Sequence, residues 1–384
     1  MKRVLIPLAL AALFAGCATP QQSTPPATAA ATSTAATAAK TLNEDLPVGA
    51  IPNAVLHDTQ RNRDLELVIE YPTRGGPYPV IIFSHGFGGS KNAYTALTEY
   101  WTSRGYVCIK PSHADAGRIR EALAPVIEER REQRRSRRQD PNPQPAGPPP
   151  PDPESIWEGQ TENDYRNRVR DVTLIIDNLA ALEQQYPELK GRMDAARVGV
   201  GGHSYGALTT MLAAGLKVTK NGAALRLADP RVKAGMAMSP QGIAGDIGTT
   251  ADSWSEVRIP MLYMTGSRDF GAEGQEPTWR RQAFENSPPP DKWLVWIEGA
   301  THMTFTGALG ALTPMEMDRR QAAVRDAQNR GMDPRGLGVP SRGRGFGTVR
   351  IASLAFWDAY LKEEAKAKDR LNGFNSETVK VERK

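Results

Sequence analysis

The chain has 384 residues, and its 48 lysines and arginines against 43 aspartates and glutamates leave a net charge of +5. That excess is too small to argue for nucleic-acid binding, and 40% hydrophobic residues are enough to build a sizeable core. The five histidines are scattered, and there is no Cys pair at metal spacing, no His-Glu-x-x-His and no Walker-type phosphate loop, so neither metal nor cofactor is expected.

Residues 1–17 read as an export signal. Lys2-Arg3 supply a positive start, Val4 to Phe14 an apolar run too short to span a bilayer, and Ala15-Gly16 small residues before Cys17. Phe14-Ala15-Gly16-Cys17 resembles a bacterial lipobox, with Phe where Leu is more usual. The resemblance implies diacylation of Cys17, with Ala18 rather than Asp pointing to the outer membrane. A lipid-anchored protein of the bacterial envelope, facing the periplasm or the exterior, is the expectation; an ordinary signal peptide is the alternative. Residues 18–45 form a Thr/Ala/Pro/Gln-rich tether with almost no bulky apolar residue to bury. A lipidated Cys17 leaves Cys108 without a disulfide partner. Cys108, in Tyr106-Val107-Cys108-Ile109, reads as a small buried hydrophobe.

A single domain is expected over 46–374. Ala54 to His57 and Leu65 to Tyr71 have strand composition, with Gln60-Arg61-Asn62-Arg63 as the turn between them. Pro79 to Phe83 is a continuous apolar run, as for a strand covered on both faces. Tyr94, Leu97 and Trp101 recur at helical spacing, with Ser90 as N-cap and Gly105 as stop. After the Val107–Lys110 strand, 113–164 reads as an insertion. Its Arg-rich stretch, Arg118 to Arg138, is taken as a solvated helix face, with anionic lipid contact as the minority reading. The Pro-rich run from Pro141 to Pro151 admits neither helix nor central strand.

Val169, Val172, Ile176, Leu179 and Leu182 restore an amphipathic helix. Strands are expected at Val198–Val200, Val232–Met238, Pro260–Met264 and Trp293–Ile297. A helix over Val349–Leu361 should bury Ile351, Leu354, Trp357 and Leu361, and 375–384 reads as a charged tail. Strands alternating with helices predict an α/β fold, a mainly parallel sheet flanked by helices.

The chemistry centres on Gly202-His203-Ser204-Tyr205-Gly206, between an apolar strand and a helix-like run. A Gly-x-Ser-x-Gly turn in that setting is a nucleophile elbow, with Ser204 as nucleophile. A serine hydroxyl needs a base to remove its proton, and the base needs a carboxylate to fix its tautomer. His302 follows the last strand and Asp269 follows Met261–Met264 in a tight Gly-Ser-Arg-Asp turn, in the chain order Ser, acid, His. Asp246 and Asp252, after the preceding strand, are alternative acids. The backbone N–H of Tyr205 and that of Phe87, in Ser84-His85-Gly86-Phe87-Gly88-Gly89, are the oxyanion donors.

The stretches Ile81–Ser90, Arg197–Gly206 and Ala355–Leu361 resemble the α/β-hydrolase family, and within it the dienelactone-hydrolase-like and platelet-activating-factor-acetylhydrolase-like serine esterases. Dienelactone hydrolases proper use Cys as nucleophile, so their specificity does not carry over to Ser204. The acetylhydrolases take their acid at the position of Ser239; the Asp269 placement is more similar to cutinases and polyester hydrolases. The resemblance implies an esterase acting on small-molecule, lipid or polyester esters. A serine peptidase or amidase on the same fold, and a catalytically silent scaffold lipoprotein, are the competing readings. Fold alone does not separate these, and protein partners are not legible.

Overall fold

The computed structural model describes residues 45–119, isolated positions between 121 and 132, and residues 160–272, 274–307 and 344–384. The expected signal, lipobox cysteine and tether, and most of the Arg- and Pro-rich insertion, lie outside the described residues. Leu46–Lys384 forms one compact unit.

Nine strands make one sheet in the order β1-β2-β4-β3-β5-β8-β9-β10-β11. They are β1 (Val48–Asp58), β2 (Arg63–Pro72), β3 (Tyr78–Ser84), β4 (Val107–Pro111), β5 (Met193–His203), β8 (Val232–Met238), β9 (Met261–Arg268), β10 (Lys292–Thr301) and β11 (Val379–Arg383). A small hairpin, β6 (Val218–Lys220) with β7 (Ala223–Leu225), stands apart. From β4 through β3, β5, β8 and β9 to β10 every pairing is parallel, while β1, β2 and β11 join antiparallel at the edges. This is an α/β fold with a mostly parallel central sheet.

Helices cover both faces, which is why the inner strands read as unbroken apolar runs. On one face Ile81, Phe83, Met236 and Trp293 pack with Leu97 and Trp101 of α1 (Thr95–Thr102) and with Phe356 and Trp357 of α6 (Arg344–Tyr360). On the other, Val80, Ile82 and Val200 pack with Val172 and Ile175 of α2 (Glu162–Asp177) and with Leu179 and Leu182 of α3 (Leu179–Gln185). Leu208, Met211 and Leu212 of α4 (Tyr205–Ala213) join Phe284 of α5 (Gln282–Asn286) in a third cluster. A short helix, α7 (Ala367–Asn372), precedes β11. Among the described residues no helix is long and apolar enough to cross a membrane.

Several local expectations are corrected. Tyr94, in the left-handed conformation at φ 63°, occupies the N-cap of α1 and no side chain caps it; Ser90 Oγ instead accepts from the Asn92 N–H. The helix expected through Leu182 breaks at Asn178, and α2 opens on a capping box between Thr161 and Asp164. In α6, Ile351 is 49% exposed and the buried face runs through Val349, Ala352, Phe356 and Trp357. The last ten residues are not a tail. Val379–Arg383 pairs with β10, Trp293 opposite Arg383, and Glu382 receives Arg281.

Truncation after Ser376 should therefore destabilise the domain by about 2–4 kcal/mol, from lost Val379 burial and edge hydrogen bonds. Urea unfolding of the truncated and full chains measures this; equal midpoints would mean that β11 contributes nothing.

Candidate active site

The centre of the parallel sheet ends at Ser204, between β5 and α4. Its backbone sits at φ 57°, ψ −118°, a strained conformation for a residue with a side chain. The Ser204 N–H bonds the Met238 carbonyl at 2.9 Å, so the turn stays tied to β8 as the chain reverses. A Cβ on Gly202 would strike the Gly206 backbone, and one on Gly206 the Ser84 carbonyl. Both glycines are there because two backbones cross at contact distance.

Asp269 lies just past β9 and is fully buried. Its Oδ1 accepts from His302 Nδ1 at 3.0 Å and pairs with Arg280 Nε at 2.9 Å. Its Oδ2 accepts from Ser239 Oγ at 2.6 Å and Thr265 Oγ1 at 2.9 Å. Burial alone would raise this carboxyl, but the Arg280 charge, the His302 hydrogen bond and the Ser239 hydroxyl outweigh it and hold it at about 2. With Nδ1–H directed at the carboxylate, the His302 Nε2 lone pair is left for a proton.

His203 holds the backbone that carries that ring. A carbonyl can only accept, so His203 Nε2–H donates to the His302 carbonyl at 2.9 Å. His203 Nδ1 then accepts from the Tyr94 hydroxyl at 2.9 Å, and that hydroxyl accepts from the Gly86 N–H at 3.3 Å. Burial first, then the neighbouring His302, drives His203 well below the usual histidine range, so it works as a neutral hydrogen-bonding spacer. The two imidazole rings lie 4.5 Å apart. One chain of contacts thus runs from the Gly86 loop through the elbow to the His302 turn. Among the hydrogen bonds of the described residues, none joins Ser204 Oγ to His302.

Of the three candidate acids, Asp269 is the one bonded to His302. Asp252 is exposed and pairs with Lys217 at 2.7 Å. Ser239, at the end of β8, donates its hydroxyl to Asp269.

The Phe87 and Tyr205 rings have centroids 6.3 Å apart, and a Cβ on Gly86, next to Phe87, would stand 3.5 Å from Ser204 Cβ. Beneath them is a buried polar network that the sequence reading missed. Arg168 Nη1 donates to the His85 carbonyl at 2.8 Å, its Nε bonds Asp115, and its guanidinium carbon lies 3.8 Å over the Tyr205 ring. His113 meets Ser84 Oγ at 2.6 Å and Asp171 at 2.9 Å, and its N–H bonds the His85 ring. Ser84, His113 and Asp171 thus form a hydrogen-bonded Ser–His–Asp chain apart from Ser204. Its histidine side chain is 0% exposed and Asp171 faces Arg61 and Arg63, whereas the His302 side chain is 30% exposed. Of these two histidines, His302 is the one that reaches solvent.

Among the described residues no group of three or more His, Cys, Asp or Glu is placed to hold a metal ion. Buried Cys108, whose thiol burial pushes up, has no part in the site.

Residues 59–139 match the family model described as platelet-activating factor acetylhydrolase, isoform II. The chain is similar to that family over this stretch. The match runs from the β1–β2 turn through β3, the Phe87 loop, α1 and β4 into the insertion. It supports the acetylhydrolase-like serine-esterase resemblance and a hydrolase of the esterase or phospholipase kind. Ser204, Asp269 and His302 lie beyond it.

Because the folded Asp269 value, about 2, lies below the ordinary 3.8, its ionised form stabilises the fold above pH 4, and that contribution fades as pH falls toward 2. Urea unfolding at stepped pH should show wild-type stability falling through this window more steeply than that of Asp269→Asn. Parallel curves would contradict the assigned environment.

Proposed function

We propose that the protein is a serine carboxylic-ester hydrolase that works through an acyl-enzyme. His302 Nε2 removes the Ser204 proton as Oγ attacks the ester carbonyl, and Asp269 holds the imidazole in the tautomer that can do so. The backbone N–H groups of Phe87 and Tyr205 receive the oxyanion. His302 then passes its proton to the leaving alkoxide, and a water repeats the sequence to release the acid and restore Ser204. The observation that carries this reading is the His302–Asp269 pair: a partly exposed imidazole is held at 3.0 Å by a buried, ionised carboxylate, and the His302 carbonyl is bonded by His203, the residue before Ser204. The acetylhydrolase match supports the hydrolase class.

The substrate reading is an ester with a lipophilic part, a lipid or polyester fragment. Phe270, the residue after Asp269, is 44% exposed and Ile243 is 38% exposed, and the Trp279 indole N–H bonds the Ile243 carbonyl. Apolar surface left open on the loops after β8 and β9 suits such a group. No cofactor enters this scheme.

Ser204→Ala and Asp269→Asn should each lower kcat for p-nitrophenyl esters on the order of 10⁴-fold. Asp246→Asn and Asp252→Asn should stay near wild type. Steady-state rates on folded variants decide it: retained turnover in Ser204→Ala sinks the mechanism, and a large loss in Asp246→Asn or Asp252→Asn reassigns the acid. A faster rate on peptide amides than on esters would move the protein to the amidase reading.

We also infer that Cys17 carries the lipid that anchors the protein to the bacterial envelope, at about 0.8 kcal/mol per buried methylene. Cys17→Ser should release the protein to the soluble fraction or leave its leader uncleaved. A processed, membrane-bound Cys17→Ser protein would exclude the anchor.

A further inference from the structure

Arg280 is buried, 4% exposed, against the acid loop, and every nitrogen of its guanidinium has work to do. Nε donates to the Asp269 carbonyl at 2.8 Å and faces its Oδ1 at 2.9 Å. Nη1 donates to the Ser239 and Pro240 carbonyls at 3.0 and 3.1 Å, and Nη2 to the Phe270 carbonyl at 2.9 Å. One side chain thus ties the end of β8 to the end of β9, the two places from which the fold could draw an acid. Nη2 also stands 3.3 Å from His302 Nδ1, where both nitrogens carry hydrogens and neither accepts.

We propose that Arg280 is a positioning residue with two separable effects: its fork fixes the Asp269 loop, and its permanent charge balances the carboxylate so that the His302 imidazole stays unprotonated, and the enzyme active, into more acidic solution. This rests on the Ser204–His302–Asp269 reading. The physics follows from the shared oxygen. Asp269 Oδ1 serves His302 and Arg280 together, so a second proton on the imidazole makes a second cation beside a carboxylate already neutralised. Remove the guanidinium, and the same proton completes a neutral pair instead.

Among the described residues, the other groups facing His302 do not supply that charge. His203 from β5 is kept neutral by burial. Ser239 and Thr265 reach Asp269 Oδ2 as neutral hydroxyls. From α6, the residues set against the His302–Thr306 turn are Gly345 and Phe346. A lysine could replace the charge but not the planar fork that reads four carbonyls.

The test is the pH profile of kcat/KM for Arg280→Met and Arg280→Lys, with Arg280→Gln as a neutral variant that can still donate hydrogen bonds should the methionine protein fail to fold. Met or Gln should move the acidic limb up by about one pH unit and lower the plateau kcat. Lys should lower the plateau and leave the limb in place. A limb that stays fixed in both neutral variants, or that moves equally in Lys, overturns the charge role. A plateau unchanged in all three overturns the clamp. Labelling of Ser204 by a fluorophosphonate in each variant separates the two levels. If Ser204 labels but the limb does not move, the Arg280 proposal alone fails; if wild-type Ser204 does not label, the mechanism beneath it fails first.

Discussion

To stand at the end of a parallel sheet and still face solvent, a side chain needs its backbone to turn from strand to helix within a residue. Ser204 does this at φ 57°, and the strain is held because two backbone crossings leave no alternative. Gly206 lies against the Ser84 carbonyl and Gly202 against the Gly206 backbone. The site depends on that crossing. It brings β3 and β5 into register up to Ser84 opposite Gly202, and so sets the Phe87 loop beside the serine. It also puts His203 where its neutral ring can reach Tyr94 on one side and the His302 turn on the other.

His113–Asp171 and His302–Asp269 are both hydrogen-bonded pairs of histidine and aspartate, and their surroundings set them apart. In the inner one, Asp171 is buried among arginines, and desolvation raises its carboxyl to about 6 although Arg63 and Arg61 oppose it. Desolvation also drives His113 well below its ordinary range. A neutral, inaccessible imidazole bonded to Ser84 is a brace for the loop that follows β3. In the outer chain the carboxylate is held at about 2 and the imidazole is partly open to solvent. Hydrogen-bond geometry alone would not tell the brace from the pair proposed to be reactive; burial and charge partners distinguish them.

The parallel sheet and the serine elbow were legible because both leave dense local signals. Val80–Phe83 and Val198–Val200 are apolar on both faces, and glycine at 202 and 206 answers a steric need within a few residues. Asp269 and His302 were legible from their place after successive strands. What stayed hidden is what distance in sequence conceals. Arg168 and Asp171 lie on the buried stripe of α2 with Tyr165, Val169 and Val172, and charged residues inside an apolar stripe were the available signal. His113 read as the start of an insertion because nothing local shows that it reaches back 29 residues to Ser84. Arg280 carried no signal, since four of its partners are backbone carbonyls that any sequence supplies and its carboxylate partner, Asp269, lies 11 residues away. The terminal strand was hidden by its charge: Lys380, Glu382, Arg383 and Lys384 suit an edge that must not recruit another strand.

The central claim is that Ser204 carries the acyl group between the two halves of the reaction, and the acyl-enzyme can be weighed. The protein is mixed with an ester whose deacylation is slow, quenched in acid within the first turnover, digested and read by mass spectrometry. The account predicts one acyl increment on the peptide that contains Ser204, absent when the quench follows complete turnover. An acyl group on another residue, or ester cleavage with no adduct under conditions that give a burst of alcohol, would contradict it.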